Sequence, residues 1–161
     1  MVQIALLVDH PDAIPKLAQW FQSQWLAYYA GRTLADIEQD FCTDLNRNRL
    51  PLRLVAFEAG ELAGTIVLRE RGIYTQPEHQ PELGGLYVAD SLRGRGVGTE
   101  LVRAGMVAAR ELGYQVVYAT THTAGGILGR LGWEQIGSVQ HAETIPLYRC
   151  DLSKLVCAAA L

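Results

Sequence analysis

The chain has 161 residues, 49% hydrophobic and 19% charged, and a formal net charge of −3; it is long enough for one compact domain over 1–161 and has the composition of an ordinary globular protein. The acidic balance supplies no broad cationic surface for a nucleic acid, so any anion site has to be local. With no secretory start, no apolar run near the roughly 20 residues of a membrane span, and Cys42, Cys150 and Cys157 outside any disulfide or zinc spacing, we expect a cytoplasmic chain with no metal, nucleic-acid or membrane partner.

The elements follow in order. Val2–Val8 reads as a strand, broken by His10-Pro11-Asp12. Ala13–Tyr28 reads as a helix, with Ile14, Leu17, Trp20 or Phe21 and Trp25 at helical spacing. Thr33 and Asp36 form a capping signal for a second helix whose apolar face is Leu34, Ile37, Phe41 and Leu45. Two β-rich runs, Leu52–Glu58 and Leu62–Arg69, flank the turn Ala59-Gly60-Glu61 and predict a hairpin. After a proline-containing loop over 71–81, Leu83–Val88 reads as a strand and Val97–Leu112 as a helix stopped by Gly113. The rest alternates: strand Val116–Thr121, short helix Thr123–Leu131, strand Trp133–Val139 and strand Ile145–Leu152. Hairpins around one β-loop-α-β unit predict a mostly antiparallel mixed sheet flanked by helices, not a doubly wound parallel one. Cys157 stands fifth from the end, one place off a prenylation box.

Between the strand ending at Val88 and the helix opening at Val97 lies Arg93-Gly94-Arg95-Gly96-Val97-Gly98. Helix-start amides lack internal partners, glycines admit a close ligand, and the arginines add donors, so a diphosphate suits the loop; a solvated turn is the plain alternative. The stretch lacks the lysine of a P-loop, since Thr99-Glu100 follow Gly98, and its glycines are spaced wrongly for a dinucleotide fingerprint. Gly84-Gly85 inside a strand implies a bulge or a close backbone approach, unless it is a simple strand defect.

The loop resembles the Q/R-x-x-G-x-G/A motif of the GNAT acetyltransferase superfamily. The flanking segments Glu82-Leu83-Gly84-Gly85-Leu86-Tyr87-Val88 and Leu128-Gly129-Arg130-Leu131-Gly132-Trp133 resemble that family's preceding strand and its Tyr-x-x-x-Gly-Phe segment. The resemblance covers about residues 52–140, with the core motifs over 82–140, and implies an α/β fold of about seven mostly antiparallel strands and four helices. It implies acetyl-CoA as cosubstrate, with diphosphate on Arg93, Gly94, Arg95, Gly96, Val97, Gly98 and Thr99 and the pantetheine arm beside Leu86, Tyr87 and Val88. The implied reaction is acetyl transfer by direct attack of a primary amine, from a small molecule or a peptide N terminus, in a ternary complex. A homodimer is compatible with the family.

Glu82 matches the family's frequent acidic position and is read either as the acceptor of the amine proton or as a solvent-facing strand carboxylate. The family's thiolate-protonating tyrosine is replaced by Leu128 and a frequent asparagine by Thr121, leaving Thr121, His122, Tyr118 or Tyr148 as substitutes; His122 is equally a strand-end histidine and Tyr148 a packing residue. That departure also motivates a rival function, an acyl-CoA-binding sensor of the same fold. The aromatic cluster Trp20, Phe21, Trp25, Tyr28 and Tyr29 occupies the segment that borders the acceptor groove in the family.

Overall fold

A computed structural model describes residues 1–72 and 76–155; Cys157 and the alanine-rich end lie outside the described residues. In chain order the elements are β1 (Val2–Leu6), α1 (Ile14–Gln24), α2 (Leu34–Cys42), β2 (Leu52–Glu58), β3 (Glu61–Arg69), β4 (Glu82–Val88), α3 (Val97–Glu111), β5 (Val116–Thr120), α4 (Gly125–Arg130), β6 (Glu134–Gln140) and β7 (Thr144–Asp151). The strands form one seven-stranded sheet in the order β1-β2-β3-β4-β5-β7-β6. Every neighbouring pair is antiparallel except β4 and β5. No helix among the described residues is long and apolar enough to cross a membrane.

Two cores lie on opposite faces of the sheet. Leu83, Val97, Leu101, Val102, Met106 and Ala109 join apolar residues of β2, β3 and β5 on the α3 face. The α3 stripe is set by side chains recurring three and four apart, and Gly105 admits close contact because a Cβ there would meet Leu83 Cδ1 at 2.5 Å. On the other face Leu17, Ala18 and Phe21 of α1 and Ile37 and Phe41 of α2 cover Val55. Burying a side chain of this size contributes about 1.5–3 kcal/mol, so each helix is held by packing more than by propensity.

The expected capping box is present: Thr33 Oγ1 accepts from Asp36 N at 3.1 Å, and Asp36 Oδ2 accepts from Thr33 N at 3.0 Å. Those bonds hold the Asp36 carboxyl below its ordinary range. Helix α1 stops at Gln24 instead of Tyr28, because Trp25 leaves the helical region and turns its ring edge-on to Phe21, 4.7 Å between centroids. Strand β1 ends at Leu6, where a 3₁₀ turn takes Leu7 into the second core. Leu34, expected on the apolar face of α2, is the first helical residue and stays exposed.

Candidate active site

The β3–β4 ladder contains the feature that Gly84-Gly85 announces. Val67 pairs with Gly84 and Thr65 with Tyr87, so Gly85 and Leu86 together face Ile66, and the extra residue is a bulge. Gly85 adopts φ +59, a region costly for any residue with a Cβ. Beyond the bulge, Tyr87 packs among Trp20, Phe21 and Trp25, while Leu86 and Val88 point to the α3 core.

Strands β4 and β5 meet in parallel at one position, Glu82 opposite Tyr118, with Tyr118 N donating to Pro81 O at 3.0 Å. From there they part and open a wedge in the sheet. At its end the chain turns into α3 through Gly94 at φ +79 and Gly96 at φ +85, both with open space where a Cβ would stand. Among the described residues the N–H groups of Gly94 to Thr99 have no protein acceptor, and Glu100 N is the first to bond back, to Gly96 O at 3.0 Å. The loop is thus a row of exposed donors at the positive end of a 15-residue helix. Arg95 reaches Glu58 at 3.7 Å and stays largely in solvent. Arg93 is tied to its own loop: Nε donates to Val88 O at 3.0 Å, Nη2 pairs with Asp90 at 2.9 Å, and the guanidinium lies 5.7 Å from the centre of the Tyr87 ring.

A cavity of about 620 Å³ runs through the wedge, from Phe21 and Trp25 on the α1–α2 side to Val102 and Leu128 on the α3 side. Its walls include Phe21, Trp25, Tyr28 and Tyr29 on one side and Thr121 and His122 on the other, over a floor of Arg53, Glu82 and Gly84–Leu86.

The model of the acetyltransferase (GNAT) family matches residues 14–127. The chain belongs to the GNAT acetyltransferase family. Its fold is that of solved GNAT structures. One is a GNAT-family acetyltransferase from Streptococcus pneumoniae, 15% identical, covering 94% of this chain and 99% of that one at a TM-score of 0.70. Another is an aminoglycoside 6′-N-acetyltransferase complexed with coenzyme A, 17% identical, covering 93% and 97% at 0.73. A third is a ribosomal-protein-alanine N-acetyltransferase from Brucella melitensis, 22% identical, covering 94% and 99% at 0.69. Comparison with curated protein sequences gives no significant match.

Within this GNAT site the expected residues take distinct places. Glu82 is not solvent-facing: its side chain is 2% exposed, and Oε1 accepts from Arg69 Nη2 at 2.8 Å and Nε at 3.1 Å. Its Oε2 is buried with no hydrogen-bond partner. A Cβ at Gly72 would overlap this carboxylate, so the residue after Arg71 has to be a glycine for the acid to sit where it does. Thr121 Oγ1 accepts from Thr123 N at 3.1 Å and Ala124 N at 3.0 Å, capping the turn into α4. His122 is half-exposed at the rim, with Nε2 3.8 Å from Glu143 Oε1. Leu128 is buried in the α3-side core. Tyr148 packs against the same core from β7, its hydroxyl close over Gly125, where a Cβ would lie 2.5 Å away. Burial and then Asp90 push the Tyr87 phenol above its ordinary range.

Three polar residues not anticipated from sequence, Asp44, Arg53 and Arg69, also line the cavity, with Thr65 buried behind Arg53. Arg53 Nε donates to Asp44 Oδ2 at 2.7 Å and Nη1 to Thr65 Oγ1 at 3.2 Å; Arg69 holds Glu82. A lone arginine inside Leu52-Arg53-Leu54-Val55-Ala56 was the available signal, because a charge in a strand buried on both faces requires a partner. Among the described residues no group of three His, Cys, Asp or Glu side chains is placed to hold a metal ion.

Proposed function

We propose that this GNAT protein is an N-acetyltransferase that passes the acetyl group of acetyl-CoA to a primary amine by direct attack in a ternary complex, acting as one domain in the cytoplasm. The observation supporting it best is the pairing of the unpartnered amides at Gly94–Thr99 with the bulge at Gly85, at opposite ends of one side of the wedge.

Acetyl-CoA supplies an activated thioester, and the residues present fit it. The loop amides, with Arg95 beside them, hold the diphosphate, and the open φ-positive glycines let it approach the backbone. Leu86, Tyr87 and Val88 lie between the loop and the bulge, and a backbone N–H freed from the ladder by the bulge would be the donor to stabilise charge developing on an acyl oxygen held there. The cavity positions the acceptor nitrogen against the acyl carbon, and this positioning supplies much of the rate. As the C–N bond forms and the C–S bond breaks, the nitrogen gives up a proton, which Glu82 receives through a water because its carboxylate lies beneath the cavity surface. With Leu128 buried and Thr121 Oγ1 occupied as an acceptor, the thiolate leaves with at most the Thr121 hydroxyl proton or a His122 proton nearby; a simple thiol of pKa about 8.5 tolerates that.

Incubation with acetyl-CoA and a mixed amine panel, followed by free-thiol detection, tests the reading. Thiol release that depends on an amine is expected. Tight coenzyme binding without turnover of any amine would overturn it in favour of a sensor.

A further inference from the structure

We propose that the acceptor is a free amino acid with an apolar or aromatic side chain, its carboxylate held by Arg53. The inference rests on the amine-transfer reading and narrows its substrate class.

Arg53 sits in mid-strand, opposite Val67, on the face covered by α1 and α2. Its side chain is 6% exposed and still lines the cavity. Three contacts fix the guanidinium. Asp44 takes Nε; Thr65 takes Nη1; and Phe21 and Phe41 hold it between rings, at 5.3 and 4.7 Å from their centres. Thr65 spends its own proton on Leu54 O at 2.7 Å, so its oxygen has only an acceptor's role toward Arg53.

One edge of the fork is left over. Among the described residues Nη2 has no acceptor, and it is not among the side-chain atoms sealed from solvent without a partner, so its N–H groups open into the cavity and are available to a ligand. Burial first, and Arg69 nearby, disfavour the Arg53 charge, while Asp44 favours it; a second anion at Nη2 would add to the favourable side. A planar, two-oxygen anion matches the fork best.

Position then limits the size of the ligand. A Cβ on Gly85 would lie 3.9 Å from Nη2 and 4.0 Å from Nη1, so the free edge stands beside the bulge where the acyl group is proposed to sit. A carboxylate bound beside the bulge would lie close to the nitrogen that attacks there, as the carboxylate of an amino acid does; the first carbonyl of a peptide is a neutral amide and would not supply that anion. The rings of Trp25, Tyr28 and Tyr29 line the remaining space and favour an apolar side chain, while Asp40 and Glu143 on the same cavity disfavour an anionic one.

The test compares apolar and aromatic α-amino acids with their α-amides, both by thiol release and by calorimetric binding to the protein with coenzyme A present. The acids are expected to exceed the amides by about 10–100-fold in kcat/KM and in affinity, the span of a charge-assisted hydrogen bond. In Arg53→Gln/Asp44→Asn, which removes both buried charges together, the ratio is expected to fall toward one with coenzyme A affinity unchanged. Thr65→Val, which only loosens the fork, is expected to lower the ratio partway. Equal use of acids and amides by the wild type, binding of neither, or a ratio that survives loss of Arg53 overturns the proposal. Amines transferred without acid preference would leave the acetyltransferase reading standing and remove this one; acids bound preferentially but never acetylated would remove both and leave only a carboxylate-binding site at Arg53.

Discussion

Glu82 Oε1 accepts two hydrogen bonds from one guanidinium, that of Arg69, with the acid buried and the base partly in solvent. The two side chains leave adjacent strands at the narrow end of the wedge, Arg69 pairing with Glu82 across the ladder. Glu82→Gln keeps the shape and removes the charge that would take up the amine proton. A fall of about 10²-fold in kcat with KM for acetyl-CoA nearly unchanged is expected from steady-state kinetics. Arg69→Gln, which leaves the carboxylate buried without its cation, is expected to cost about 2 kcal/mol in denaturant unfolding, below the usual range for a buried pair because the guanidinium keeps contact with water.

The loop behaves differently from the acid. Gly96 has room for a Cβ, so Gly96→Ala is opposed only by its φ of +85. The strain amounts to about 1–2 kcal/mol and moves the amides facing the diphosphate. We expect KM for acetyl-CoA to rise several-fold and kcat at saturation to change less than about 2-fold.

At the β2–β3 hairpin, Glu58 pairs with Glu61 around Ala59 and Gly60, at φ 52 and φ 80. Two left-handed residues in a two-residue loop suit Asn-Gly and penalise alanine. Ala59→Asn is expected to stabilise by about 0.5–1 kcal/mol, raising Tm by about 1–4 °C in calorimetry with activity unchanged.

Burial pushes the Cys150 thiol up from 9.0 to about 11. The thiolate is thus disfavoured in the folded chain. Its contribution to stability is complete below about pH 9, declines as the pH rises toward 11, and does not change at neutral pH. Cys42 is exposed on α2. At pH 8 a thiol reagent is expected to label Cys42 in minutes and Cys150 only after denaturation, read by peptide mass.

The glycine and arginine pattern foretold the loop conformation, because an unpaired run of amides before a helix leaves its mark in residue choice. Gly84-Gly85 likewise announced the bulge, and Thr33 with Asp36 the start of α2. The environment of Glu82 was not legible: a strand-leading acid looks the same whether it meets water or Arg69, and the partner comes from 13 residues away across a loop. Thr121 was legible as a residue at the site but not as the acceptor that holds the turn before α4, since its two amide donors depend on the turn that follows. Asp44 left no mark at all, because its role exists only once the end of α2 is laid over β2.

Among the described residues, Glu82 and Tyr118 are the one register pair of β4 and β5, so the sheet is two half-sheets sharing a seam. Anything lodged between them bonds to both and favours the assembled form by mass action, worth about 2.7 kcal/mol at a hundredfold excess over its Kd. The coenzyme would then act as a removable splint: amides flanking the gap, such as those of Tyr87 and Ala119, would exchange with deuterium faster in the empty protein than in the loaded one, while the α3 interior would exchange alike in both.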